Sequence, residues 1–144
     1  SPSGHLVNIS SIFGMVGIAT QSAYNSAKFA VRGFTESLQA EYRGTSLTVT
    51  CVHPGGIATN IALRARTDGE SSEVSAEERD ESFKQVARTP PTKAAQVIMK
   101  GTLAGHRRVF IGWDAWLMHT ITKFMPTSYH AITARWGSKN DDIG

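Results

Sequence analysis

Cysteine is nearly absent from this chain: Cys51 stands alone among 144 residues, which excludes an intrachain disulfide and the small folds that depend on one. It lies in an apolar run, where a lone thiol behaves as a small buried hydrophobe. The five histidines fall at no metal-ligand spacing, so no metal site is expected. No apolar run reaches the roughly 18–20 residues that cross a bilayer, and no transmembrane segment is expected. The formal net charge is +3, but acidic and basic residues alternate along most of the chain. Without a basic stripe, nucleic acid is not an expected partner. There is no initiator Met and no secretory signal at the start. The chain opens at Ser1 and runs almost at once into a strand, so its natural beginning is expected upstream and its location is expected to be cytoplasmic.

What is present is a composition of 40% hydrophobic and 19% charged residues, which suits one globular unit over residues 1–144. "HLVNIS", residues 5–10, reads as a strand that ends at a serine pair. From Ser22, a plausible N-cap, Ala27, Val31, Phe34 and Leu38 recur at helical spacing, and this helix should end near Gly44. "SLTVTCVH", residues 46–53, is β-branched and stops at Pro54-Gly55-Gly56. Residues 60–88 are charged, with a capping-box pattern at Ser75 and Glu78, and read as an insert. A helix follows between the prolines at 90 and 91 and Gly105, with Ala94, Ile98 and Gly101 on one side. "RRVFIG", residues 107–112, is a third strand. The apolar tail, residues 113–144, should form two helical pieces broken at Pro126.

This alternation predicts an α/β fold, a partial Rossmann-type parallel sheet of about three strands in βαβαβ order, whose crossovers are expected to be right-handed. Two helices and a tail scarcely cover both faces of such a sheet, so an exposed apolar face or edge is expected. Ligands of open α/β sheets lie outside the carboxyl ends of the strands. Here those ends carry Ser10 and Ser11, then Pro54 to Thr59.

Tyr24 and Lys28 are one helical turn apart and share a face. A free phenol, with a pKa near 10, exchanges protons poorly at neutral pH, and a neighbouring cation favours its phenolate form. A serine hydroxyl can hold an alcohol or carbonyl oxygen against that phenol. Hydride itself must be carried by a cofactor, since no side chain can carry one.

"VNISSIFG", "YNSAK" and "VHPGGIAT", in that order, resemble the catalytic serine segment, the Tyr-x-x-x-Lys motif and the Pro-Gly motif of the short-chain dehydrogenase/reductase family. The resemblance implies an NAD- or NADP-dependent oxidoreductase that interconverts a secondary alcohol and a carbonyl. It implies that Tyr24 is the acid/base, that Lys28 favours the phenolate and bonds the nicotinamide ribose, and that Ser11 orients the substrate. Pro54, Gly55, Ile57 and Thr59 would shape the nicotinamide pocket. Ile12, Phe13 and Ile18, between the serine and tyrosine segments, suggest an apolar wall for a small alcohol or carbonyl substrate. Ser10 is read as part of the turn that ends the strand. Helices matching the one that begins near Ser22 often join subunits in the family, which implies a homo-oligomer.

The resemblance covers residues 4–112 and corresponds to the family's C-terminal half. The Thr-Gly-x-x-x-Gly-x-Gly turn that meets the cofactor's phosphates and the Asn-Asn-Ala-Gly segment are not in this sequence. Two rival expectations stand beside the enzyme. One is a non-catalytic fragment or isoform that keeps the assembly surface, and the other is an epimerase or dehydratase using the same Tyr and Lys.

Overall fold

A computed structural model of the chain describes residues 3–19, 21–58 and 89–131. The elements run β1 (Gly4–Ile9), a 3-10 turn (Ile12–Gly14), α1 (Ser22–Glu41), β2 (Leu47–Pro54), α2 (Pro91–Leu103), β3 (Arg108–Ile111) and α3 (Trp113–Phe124). The strands form one sheet in the order β1-β2-β3, and both pairings are parallel. This is the Rossmann-type α/β arrangement expected from the sequence. The charged insert of residues 60–88, Thr59 and the end of the tail from residue 132 lie outside the described residues.

Side chains alternate across a strand, so the register divides the sheet into two faces. Val52 pairs with Val109, and Pro54 with Ile111. On that face Val7, Val52, Val109 and Ile111 pack with Ala94, Val97 and Ile98 of α2. The chemistry of α2 explains its close approach. Pro91 starts the helix, Gly105 beyond its end has φ +73, and Gly101 abuts the Val109 side chain.

The opposite face carries Asn8, Cys51 and Arg108 in register, and α1 covers it with polar groups. Asn8 Nδ2 donates to Thr35 Oγ1 at 3.1 Å. Gln39 Nε2 donates to the carbonyls of Val49 at 3.0 Å and Arg107 at 2.7 Å. Glu36 pairs with both Arg32 and Arg108. Burial pushes the Glu36 carboxyl up, but hydrogen bonds and charge from Arg32 and Arg108 outweigh it and hold the group below its ordinary value.

This corrects the expected apolar stripe of α1. Phe34 is 60% exposed and Ala27 is also exposed, while the fully inward residues are Asn25 and Thr35. Because α1 and α2 cover opposite faces while the strand order advances in one direction, their two crossovers have opposite hands. One of them departs from the right-handed rule.

Cover is incomplete, as expected for so small a sheet. Leu6 and Ile9 on β1 are 37% and 45% exposed. Among the described residues, no helix is long and apolar enough to cross a membrane.

Candidate active site

β1 delivers Ser10 and Ser11 to its carboxyl end, where the two hydroxyls do different work. The Ser10 hydroxyl donates to the Lys28 carbonyl at 2.8 Å, and its backbone N–H donates to the Val52 carbonyl at 2.8 Å. Ser10 was expected only to end the strand, yet it also ties the strand to α1. Ser11 caps the 3-10 turn, its Oγ accepting the Phe13 N–H at 3.2 Å. The Ser11 carbonyl faces His53 Nδ1 at 3.0 Å. A carbonyl can only accept, so Nδ1 carries the hydrogen and Nε2 the lone pair.

Burial pushes the His53 imidazole below its ordinary value of 6.5, against the opposing bond to Ser11. Its Nε2 is buried without a partner among the described residues. The ring stacks on Phe110 at 5.5 Å, which in turn stacks on His119 at 4.4 Å. Nothing in the sequence marks this column, since its members are brought together by the sheet register and by α3.

Between the serines and α1, the loop is shaped by Asn25. Its Nδ2 donates to the carbonyls of Phe13 and Val16, both at 2.8 Å, and its Oδ1 accepts the Ile18 N–H at 3.3 Å. One side chain thereby satisfies three backbone groups, and it sits next to Tyr24 in the sequence.

Tyr24 is 44% exposed. Its ring meets Phe13 edge-on at 6.1 Å, and the Lys28 Nζ lies 5.6 Å from its centroid, within cation–π range. Lys28 Nζ also donates to the Ile9 carbonyl at 3.3 Å. Tyr24 and Lys28 therefore meet at the carboxyl end of β1. Phe13 links Ser11 to Tyr24, bonding one through its backbone and touching the other through its ring. Of the three apolar residues expected to face substrate, Phe13 and Ile18 are half-buried. Ile12 instead packs into a core cluster with Met15 and Ala115.

The second rim is the stretch after β2. Gly55 N–H donates to the Ile111 carbonyl at 2.8 Å, and Gly56 N–H to Asp114 Oδ2 at 2.8 Å. Thr89 pairs with the same stretch, accepting the Ala58 N–H at 3.0 Å and donating to the Gly56 carbonyl at 3.2 Å. Asp114 was not singled out in the sequence. A hollow of about 660 Å³ lined by Glu36, Gln39, Arg43, Arg107, Arg108 and His119 includes none of the expected catalytic residues. No cluster of three or more His, Cys, Asp or Glu side chains gathers to hold a metal among the described residues.

The serine, the Tyr–Lys pair and the Pro-Gly-Gly turn stand at the strand ends of a parallel α/β sheet. A family model described as short chain dehydrogenase matches residues 1–70. The SadH protein of Mycobacterium tuberculosis is 44% identical over 137 residues, covering 93% of this chain and 49% of that protein. A short-chain dehydrogenase from Streptomyces avermitilis superposes with a TM-score of 0.63 at 27% identity, over 94% of this chain and 52% of that one. One from Burkholderia cenocepacia, solved in complex with NADP, gives a TM-score of 0.69 at 18% identity, over 91% and 47%. The chain belongs to the short-chain dehydrogenase/reductase family. It spans about half the length of SadH.

Proposed function

We propose that this chain carries the proton-transfer half of an NAD- or NADP-dependent oxidoreductase that interconverts a secondary alcohol and a carbonyl. The observation that supports it best is the Tyr24–Lys28 pair, with the ammonium 5.6 Å from the ring centroid, at the strand end that also bears Ser11. In this reading Tyr24 exchanges the hydroxyl proton, Lys28 favours the phenolate and bonds the nicotinamide ribose, and Ser11 holds the reacting oxygen. When bound, the cofactor would accept hydride from the alcohol or supply it to the carbonyl.

Pro54, Gly55 and Ile57 would flank the nicotinamide, and the half-buried Phe13 and Ile18 favour an apolar substrate. Similar folds have been solved with NADP and with NAD, which supports either cofactor. Phe29 and Phe34 on α1 and Tyr42 just after it are 40%, 60% and 42% exposed, which supports a homo-oligomer through this helix. A cytoplasmic location suits such an enzyme.

Replacing Tyr24 by Phe in the protein as encoded by its gene tests the reading. It is expected to slow alcohol oxidation by on the order of 10²–10⁴, the usual contribution of a general acid/base, with cofactor still bound. An unchanged rate would remove Tyr24 from the chemistry. A second reading, a non-catalytic fragment, is favoured by the exposed Leu6 and Ile9 of β1. Self-association of a protein that binds neither NADH nor NADPH would select it.

A further inference from the structure

We propose that Asp114, on the first turn of α3, is a positioning residue that aims the Gly55–Ile57 backbone toward the nicotinamide. The inference rests on the oxidoreductase reading and adds to it a residue that no motif in the sequence marks.

The carboxylate occupies a seat built from two glycines. A β-carbon at Gly55 would overlap both Asp114 oxygens, and one at Gly112 would overlap Oδ1. Gly112 also has φ +92, a conformation that favours glycine. Gly55 is therefore glycine for a reason unrelated to turn-making: any side chain there would displace the carboxylate.

From this seat Oδ2 accepts the Gly56 N–H at 2.8 Å, while the Gly56 carbonyl accepts from Thr89 at 3.2 Å. Both polar groups of Gly56 are thus held, the N–H by Asp114 and the carbonyl by Thr89. The two bonds restrain two successive peptides against rotation, Gly55–Gly56 through its N–H and Gly56–Ile57 through its carbonyl. The next residue is Ile57, whose backbone is expected beside the cofactor's carboxamide.

The plain alternative is an acidic residue that favours the start of a helix. Such a residue gains modestly from the helix dipole, but this does not require glycine at positions 55 and 112. Among the described residues Asp114 forms no ion pair.

The test uses the protein as encoded, with Asp114→Ala, Asp114→Asn and Gly55→Ala, each checked for folding by melting. NADH and NADPH are titrated by fluorescence, and a panel of secondary alcohols is oxidised with NAD and NADP. Asp114→Ala is expected to raise the Kd and KM of the preferred cofactor about tenfold, with the alcohol KM changing much less. Asp114→Asn keeps an oxygen for the Gly56 N–H and should stay within about threefold. Gly55→Ala should weaken cofactor binding, and its loss should shrink when combined with Asp114→Ala.

Unchanged cofactor Kd and KM in Asp114→Ala would overturn the inference. If that variant does not fold, wild-type cofactor affinity in Gly55→Ala would do the same. Equal losses from Ala and Asn would place the effect in the charge and also overturn it. If the unsubstituted protein binds neither NADH nor NADPH, the oxidoreductase reading fails and this inference falls with it.

Discussion

The hydroxyl of Ser10 donates to the backbone carbonyl of Lys28 at 2.8 Å, with Gly14 packed against both groups. A β-carbon at Gly14 would overlap Ser10 Oγ and come within 2.8 Å of the Lys28 oxygen. A helix carbonyl cannot swing aside, so Gly14→Ala is expected to destabilise the protein by about 1–3 kcal/mol. Ser10→Ala in the same chain should relieve only part of this, since the carbonyl clash remains. Urea unfolding of the two single variants and the double variant measures the difference, and full rescue would refute the assignment.

Asn25 holds three backbone groups of the preceding loop and is 7% exposed. Asn25→Ala strands two carbonyls and one N–H, and an expected loss of roughly 2–4 kcal/mol follows from about 1–3 kcal/mol per buried unsatisfied group, reduced by local rearrangement. Asn25→Asp should fare little better, because a carboxylate cannot donate to Phe13 and Val16. A melting temperature within a degree or two of the parent for either variant would contradict this.

Lys28 offers a way to separate fold from chemistry. Its ammonium makes an exposed bond to the Ile9 carbonyl, worth about 1 kcal/mol, so Lys28→Ala should lower stability only slightly. If Lys28 serves Tyr24 and the ribose as proposed, turnover should nevertheless fall by about 10² or more. Paired melting and initial-rate measurements decide the point, and a loss of stability as large as the loss of rate would make Lys28 structural.

The buried imidazole of His53 gives a pH dependence with a definite sign. Burial, with a smaller contribution from Arg108, holds its folded value below 6.5 despite the bond to Ser11. The unfolded chain takes up this proton near pH 6.5, while the folded chain takes it only at lower pH. The stabilisation is complete above that window and is lost as pH falls from about 6.5 toward the folded value. Urea midpoints should therefore drop between about pH 7.5 and pH 5.5, and His53→Gln should reduce the drop. Part of it will remain, because burial shifts His119 in the same direction. A drop identical in the parent and the variant would remove His53 as a source.

The strands and α2 were legible in the sequence because their signals are local. β2 is β-branched and ends at Pro54, while α2 begins at Pro91 and gives way to Gly105. The facing of α1 was misread for a physical reason. Periodicity finds apolar residues, but this helix turns Asn25 and Thr35 inward and leaves Phe34 outside. Ser11, Tyr24 and Lys28 were marked by motif order, with roles that belong to the proposed function. Ser10, His53 and Asp114 were not, because their partners lie far along the chain; Asp114 and Gly56 are 58 positions apart.

Greasy contacts let a helix roll by a few degrees at small cost, whereas directional bonds resist rotation about the axis. The underside of α1 is fastened at Asn25, Thr35 and Gln39 by bonds of the second kind. The bearing of the Tyr24 phenol is thus set partly by anchors as distant as the strand carbonyls of Val49 and Arg107. Substitutions along that seam should act as steering errors at the proposed reaction centre, even where they leave it untouched.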